Sequence, residues 1–335
     1  MTILLAIVAG GALGFVLARG DFCFHSTWRR LSARPAETSL MRAYVVLLLV
    51  STPIVQVFVA TDVIDPFIPD FAPAAAIIGG LVFGVGMVIA QTCVSGMFYK
   101  FGAGMVGMLV AMAGWAVGDV LTWRGPLKSV RERLNENPVR ITTDTGAEEV
   151  ATVTSSMGVF GVVLLVLVGI GLALWVARDE AVAEHHPASG QAAAARLVGV
   201  KLGLAAAWVF TLAWLLVRWH GFDYSYGTSS VPTQIWNAVV DRADISWWIP
   251  LGLISVVPGA LIAAVAANTL WVRGEQTRRY VELGVGGLVM GIGAAIAGGC
   301  NLGHSMVGVP LLSIGSIVTT GAIAAGVFVA SRVAQ

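Results

Sequence analysis

Residues 79–96 return, 207 positions later, as residues 286–303. Gly79-Gly80-Leu81-Val82-Phe83-Gly84-Val85-Gly86 corresponds to Gly286-Gly287-Leu288-Val289-Met290-Gly291-Ile292-Gly293, and Cys93 and Gly96 correspond to Cys300 and Gly303. Ten of the eighteen positions are identical, and each copy ends on one of the chain's three cysteines. Two apolar, glycine-rich segments with matched endings predict an internally repeated protein that presents thiols from related positions. Each copy also spaces glycines four apart, Gly80 to Gly84 and Gly287 to Gly291, which clears one helix face for a close neighbour.

The setting of these repeats is lipid. At 57% hydrophobic and 12% charged, with mean hydropathy +0.84, the 335 residues carry more apolar surface than a soluble domain can bury. A net charge of +1 shows no basic surplus for nucleic acid, and any attraction for an anion must be local. The cysteines are separated by 70 and 207 residues with no Cys-x-x-Cys, which speaks against a disulfide framework, a zinc site or a thioredoxin-like pair. His185-His186 has no third metal ligand in its segment, and no metal or other cofactor is expected.

Nine segments are long and apolar enough, or nearly so, to cross a bilayer: 2–18, 40–60, 73–92, 103–123, 157–177, 197–217, 246–270, 281–299 and 311–331. The first lacks a positively charged leader region and reads as a retained helix. The fold class expected is an all-α integral membrane protein of about nine transmembrane helices. With nine spans the termini lie on opposite sides. Thirteen Lys and Arg fall on one side and seven on the other, most of those seven in the single stretch 124–156. The richer side is expected to be cytoplasmic, with the N-terminus outside and the C-terminus inside. The span ending at Cys93 then runs opposite to the span ending at Cys300, so the repeat is inverted. The expected organisation is a first half, 1–123, an external loop, 124–156, a flexible cytoplasmic linker, 178–196, and a second half, 197–335. Loops 124–156 and 218–245 read as solvated connectors with interfacial aromatics.

The glycine runs end in Gln91-Thr92-Cys93-Val94-Ser95-Gly96 and Gly298-Gly299-Cys300-Asn301-Leu302-Gly303-His304, sequences poor for a helix interior. The helices are expected to break there and to be followed by short re-entrant helices near 95–101 and 302–309. Broken backbone in a bilayer needs protein or a water-filled cavity to satisfy it, so the breaks are the candidate site. No Asp, Glu, Lys or Arg occurs from Phe71 to Tyr99 or from Leu283 to Ser331. A site formed from these stretches holds an anion with neutral donors: free N–H groups, amides and thiols. Cys23, Cys93, Cys300, Gln91, Ser95, Gly96, Gly299, Asn301, Gly303 and His304 are the candidate substrate residues. Arg19-Gly20-Asp21-Phe22-Cys23-Phe24-His25 has the same ending after Gly10 and Gly14. Its counterpart in the second half is expected from Pro258-Gly259 onward, where no cysteine occurs. For His25 and His304 a local hydrogen bond is favoured over catalysis. Asp119 is the main carboxylate within a span.

These nine spans, Asp21-Phe22-Cys23-Phe24 and the two cysteine-bearing breaks resemble the YeeE/YedE family of bacterial inner-membrane proteins. The resemblance covers nearly the whole chain. It implies an hourglass-like protein that takes up thiosulfate, passing it by thiol hydrogen bonds from Cys300 on the outer side through Cys93 to Cys23. It also implies that a TusA-like cytoplasmic sulfur carrier receives the ion. Transport rather than catalysis is the expectation. Two readings stand beside it: carriage of another sulfur or selenium compound, and a membrane sulfurtransferase or thiol-redox enzyme built on the same cysteines. Against the enzyme stands the lack of a closely spaced resolving thiol in the sequence.

Overall fold

The computed structural model describes residues 2–31, 36–142, 148–183, 199–219, 223–228 and 230–333. Within them the chain forms thirteen α-helices, one π-helical turn and one small hairpin. The first half contains α1 (Thr2–Gly20), α2 (Phe24–Leu31), α3 (Ser39–Ala60), α4 (Pro73–Ala90), α5 (Val94–Gly102) and α6 (Met108–Trp123). Then come α7 (Lys128–Asn135), strands β1 (Arg140–Thr142) and β2 (Glu148–Val150), and α8 (Val153–Ala183). The remainder is α9 (Gly199–Arg218), α10 (Val231–Val240), α11 (Trp248–Ala266), α12 (Thr277–Ala297), the π-turn Leu302–Gly308 and α13 (Ile314–Val333).

This is an all-α integral membrane protein. Eight helices are long and apolar enough to span a bilayer, and α6 is a shorter apolar one. Its 16 residues reach about 24 Å at 1.5 Å per residue, short of a hydrocarbon core of about 30 Å. The short re-entrant helices lie where the glycine runs end, at Val94–Gly102 and Leu302–Gly308. Each break opens on a left-handed residue at the same repeat position, Gln91 with φ 51° and Gly298 with φ 79°. Glycine enters that region freely, whereas Gln91 does so at a cost of roughly 1 kcal/mol.

The inversion is visible in the packing. Gly79 lies against Gly293 and Ala297, and Gly86 against Gly286 and Met290, so α4 and α12 run antiparallel with glycine on glycine. A shift of 207 converts Gly79 into Gly286 and Gly86 into Gly293, and thus turns one contact into the other. The same relation governs the outer partners. Gly80 and Gly84 face Thr319 to Val327 of α13, while their equivalents Gly287 and Gly291 face Ala111 to Asp119 of α6. A side chain at Gly287 would meet the carbonyl of Ala111, which is backbone and cannot turn aside. Gly287→Val is therefore expected to destabilise the fold by about 1–3 kcal/mol or more through overpacking. Gly171→Ala on α8, where nothing lies within 4 Å, is the neutral control. Thermal melting in detergent checks both.

Stretch 124–156 is not a solvated connector along its length. It carries α7, packed on the ends of α4, α6 and α12, and an antiparallel hairpin pairing Arg140 with Val150. The reason is local: Arg131 and Asn135 reach the carbonyls that end α12. Of the stretch read as a flexible linker, residues 178–183 continue α8, and the rest, with His185-His186, lies outside the described residues.

Candidate functional site

Two short-helix starts build one half of the site. α1 ends at Gly20, and Asp21 turns left-handed at φ 48°. Cys23 then sits directly before α2, with its carbonyl accepting from the Thr27 N–H at 2.9 Å. Cys93 occupies the equivalent place before α5 in extended conformation, its carbonyl accepting from the Met97 N–H at 2.9 Å. Both residues are fully buried, and their sulfurs are 3.4 Å apart. Cys93 Sγ is also 3.3 Å from Ser95 Oγ. Gly96 leaves the flank of this pair open: a Cβ there would stand 3.1 Å from Cys23 Sγ and 3.4 Å from Cys93 Sγ. The fold thus supplies a close thiol partner that 70 residues of separation conceal in the sequence.

The other half forms at the opposite end of the inverted pair. Cys300, fully buried, accepts through its sulfur from the Leu302 N–H at 3.2 Å, and the buried Thr228 hydroxyl has no hydrogen-bond partner among the described residues. Both line a cavity of about 560 Å³. Cys23 directly precedes α2 and Thr228 stands three residues before α10, so this break sets a hydroxyl and a thiol on one cavity wall where the other sets two thiols together. By the repeat shift of 207 the second-half counterpart of Cys23 is Ser230, directly before α10 and on the cavity wall, rather than the Pro258-Gly259 region. Gly259 lies inside α11, against the backbone of Gly11 in α1. A signal existed: α10 begins at Val231, which is Phe24 shifted by 207.

Asp119 fixes this second start. Its carboxylate, wholly buried, accepts from Ser230 N at 3.1 Å, Thr233 N at 3.1 Å and Thr233 Oγ1 at 2.6 Å. It caps α10, satisfying N–H groups that begin a helix without partners. Tyr224 donates to the Gly303 carbonyl at 3.0 Å, and burial pushes its phenol above the usual range so that it stays a donor.

α4 and α12 each end at a break, and a helix C-terminus carries about half a negative charge, hostile to an anion. Cationic and amide side chains occupy those ends. Arg279 donates to the carbonyls of Ile89 at 3.2 Å and Ala90 at 2.5 Å, and Lys100 to that of Gln91 at 3.2 Å. On α12, Arg131 Nε donates to Ala295 O at 3.1 Å and Asn135 to Ile296 O at 3.3 Å. His304 Nε2 takes Ala297 O at 3.1 Å while Nδ1 pairs with Ser316 Oγ at 3.1 Å. Both its ring nitrogens are therefore occupied in holding the break, which suits a neutral ring donating from Nε2.

Of the residues expected to face substrate, Cys23, Cys93, Ser95 and Gly96 come together, and Cys300, Gly299 and Gly303 line the cavity. Gln91 is exposed at the turn of its break. Asn301 is wholly buried with both amide atoms unpartnered, a rare arrangement that leaves a donor and an acceptor free beside Cys300. Sequence reasoning missed Thr228 and Tyr224. It also missed Arg131, the one cation among the described residues that line the cavity, which it shares with Asp70 and Asp223.

A family profile described as sulphur transport matches residues 19–329. The chain is 28% identical over 323 residues to a thiosulfate transporter, TsuA, of Escherichia coli (strain K12), covering 91% of this chain and 87% of that protein. It is 26% identical over 315 residues to the thiosulfate transporter TsuA of Spirochaeta thermophila, covering 92% of each.

Proposed function

The chain belongs to the sulphur transport family, and from that premise we propose that it takes up thiosulfate, which passes from the Thr228–Cys300 pair to the Cys93–Cys23 pair. Transport of a sulfur compound by a multi-pass membrane protein is the part its relatives support directly. The observation that carries the finer reading is that two inverted helix breaks each bury a cysteine among small donors. The Cys93 sulfur lies 3.4 Å from that of Cys23, and Cys300 shares a cavity wall with Thr228, whose hydroxyl has no partner among the described residues.

Thiosulfate has oxygens that accept hydrogen bonds and a soft terminal sulfur that suits S–H contacts. Neutral donors hold such an ion firmly enough to admit it and weakly enough to release it. The face bearing α7 is then external and the face bearing Arg279 and Lys100 cytoplasmic, in a bacterial inner membrane with the N-terminus outside. The halves 1–123 and 197–335 are the two sides of the path, and a TusA-like carrier receives the ion at the Arg279 face.

Initial uptake of labelled thiosulfate into cells lacking other routes, compared with sulfate, sulfite and selenite, tests the substrate. Uptake no faster than in cells without the protein would sink the reading. Within it, Thr228→Val keeps the shape and removes the hydroxyl, and is expected to lower uptake roughly fivefold, the loss of about one hydrogen bond. Thr228→Cys, which puts a thiol in place of the hydroxyl, is expected to stay within twofold of wild type.

The 3.4 Å approach of Cys23 and Cys93 favours a second reading, a thiol-redox or sulfurtransferase enzyme. A persulfide or disulfide trapped on either cysteine during turnover would support it. Uptake with both thiols free throughout would argue against it.

A further inference from the structure

The neutral donors at the breaks leave open how an anion is drawn from water into a weakly binding path. We propose that Arg131, laid on the ring of Trp123, is a capture site for a divalent sulfur oxyanion at the mouth of the Cys300 cavity. The inference rests on the transport reading above and adds to it a charged first station ahead of the thiols.

The geometry is that of a fixed cation. Arg131 Cζ lies 3.4 Å from the centroid of the Trp123 ring, and its Nε is engaged by the carbonyl of Ala295. Stacking and that single bond hold the guanidinium plane, and its terminal amino groups have no partner among the described residues. Trp123 Nε1 is buried and unpartnered as well, adding a second donor beside the guanidinium. Both side chains line the same cavity as Cys300 and Thr228.

Glu132 and Asp119 are close enough to act on its charge, but both have other partners. Asp119 is engaged by α10, Glu132 lies 3.7 Å from Lys128, and Asp70 on the cavity wall is paired with Arg140 at 2.8 Å. Asp223 shares the lining, and no ion pair joins it to Arg131. Among the described residues lining the cavity, Arg131 is the single cation. A fixed charge at the mouth of a low-dielectric cleft raises local anion concentration by tenfold or more, in a salt-dependent way.

The test is the initial rate of labelled thiosulfate uptake at low and high ionic strength, for wild type, Arg131→Gln and Arg131→Lys, together with calorimetric binding of thiosulfate to the purified proteins. Arg131→Gln is expected to raise KM about tenfold with maximal rate within twofold. Raising ionic strength should raise the wild-type KM and leave that of Arg131→Gln unchanged. Arg131→Lys, which keeps the charge and loses the planar stack, should fall between and keep its salt response. A merely structural role would lower the amount of active protein without altering that response. An Arg131→Gln variant with wild-type KM, affinity and salt response overturns the capture site. A wild-type protein that neither transports nor binds thiosulfate overturns the transport reading instead. A wild-type protein that binds thiosulfate through Arg131 without transporting it keeps the capture site and overturns the transport reading alone.

Discussion

Cys93→Ala is expected to lower thiosulfate uptake by about a hundredfold or more while the folded protein is still made. The sulfur of Cys93 touches both Cys23 and Ser95, so its loss removes the middle of a three-group row. A hydrogen bond to a charged partner contributes about 1.5–3 kcal/mol, and a hundredfold in rate corresponds to about 2.7 kcal/mol, so one central donor accounts for the effect. Alanine leaves a small void in a buried position, a loss the packed glycine interfaces on either side can bear. Cys93→Ser separates the two chemistries of the thiol. A neutral donor role predicts that serine retains a measurable fraction of uptake, since its hydroxyl also donates. A sulfur-transfer role predicts that serine and alanine fail alike, because neither can hold a persulfide. Initial rates of labelled uptake, normalised to the amount of protein in the membrane, decide it, and wild-type rates in Cys93→Ala would overturn the central placement.

How much of this could be read from the chain depends on what each feature requires. The repeat, its inversion and the breaks were legible because they rest on glycine spacing, apolar length and poor helix formers, all local properties. Gln91 and Gly298 turn their helices at the same repeat position, and the chain around each announces a break through its small residues. The Cys23–Cys93 contact was not legible, since it depends on α2 and α5 starting side by side, a tertiary fact with no spacing rule. Thr228 was hidden for a different reason. It lies two residues before Ser230, the position that the repeat shift assigns to Cys23, and a hydroxyl in a polar loop looks like any other. Arg131 was hidden by its neighbours, because Lys128, Glu132 and Arg133 make its segment look like a solvated charged turn. What marks it is the docking of α7 on the open end of α12, which follows from the unpaired carbonyls a broken helix leaves.

Removing the carboxylate of Asp119 is expected to have the other large effect, on the fold and on uptake together. Asp119→Ala leaves Ser230 N, Thr233 N and the Thr233 hydroxyl without their acceptor in a buried place. Losing a helix cap costs about 0.5–2 kcal/mol, and stranding buried donors of a charged acceptor adds about 1–3 kcal/mol more, so the melting temperature should drop by several degrees. The start of α10 then loosens, and with it Thr228, which shares the cavity wall with Cys300, so uptake should fall tenfold or more. Asp119→Asn retains one acceptor oxygen and presents an amide N–H where the structure has an N–H already, so it should be intermediate in both measurements. This pairing of effects separates a positioning residue from a proton carrier. A carrier would lose uptake in Asp119→Asn at an unchanged melting temperature, whereas a cap loses stability and uptake in step. Three donors already converge on this carboxylate, which leaves it poorly placed to exchange protons during transport and well placed to hold Ser230 and the start of α10 on the cavity wall.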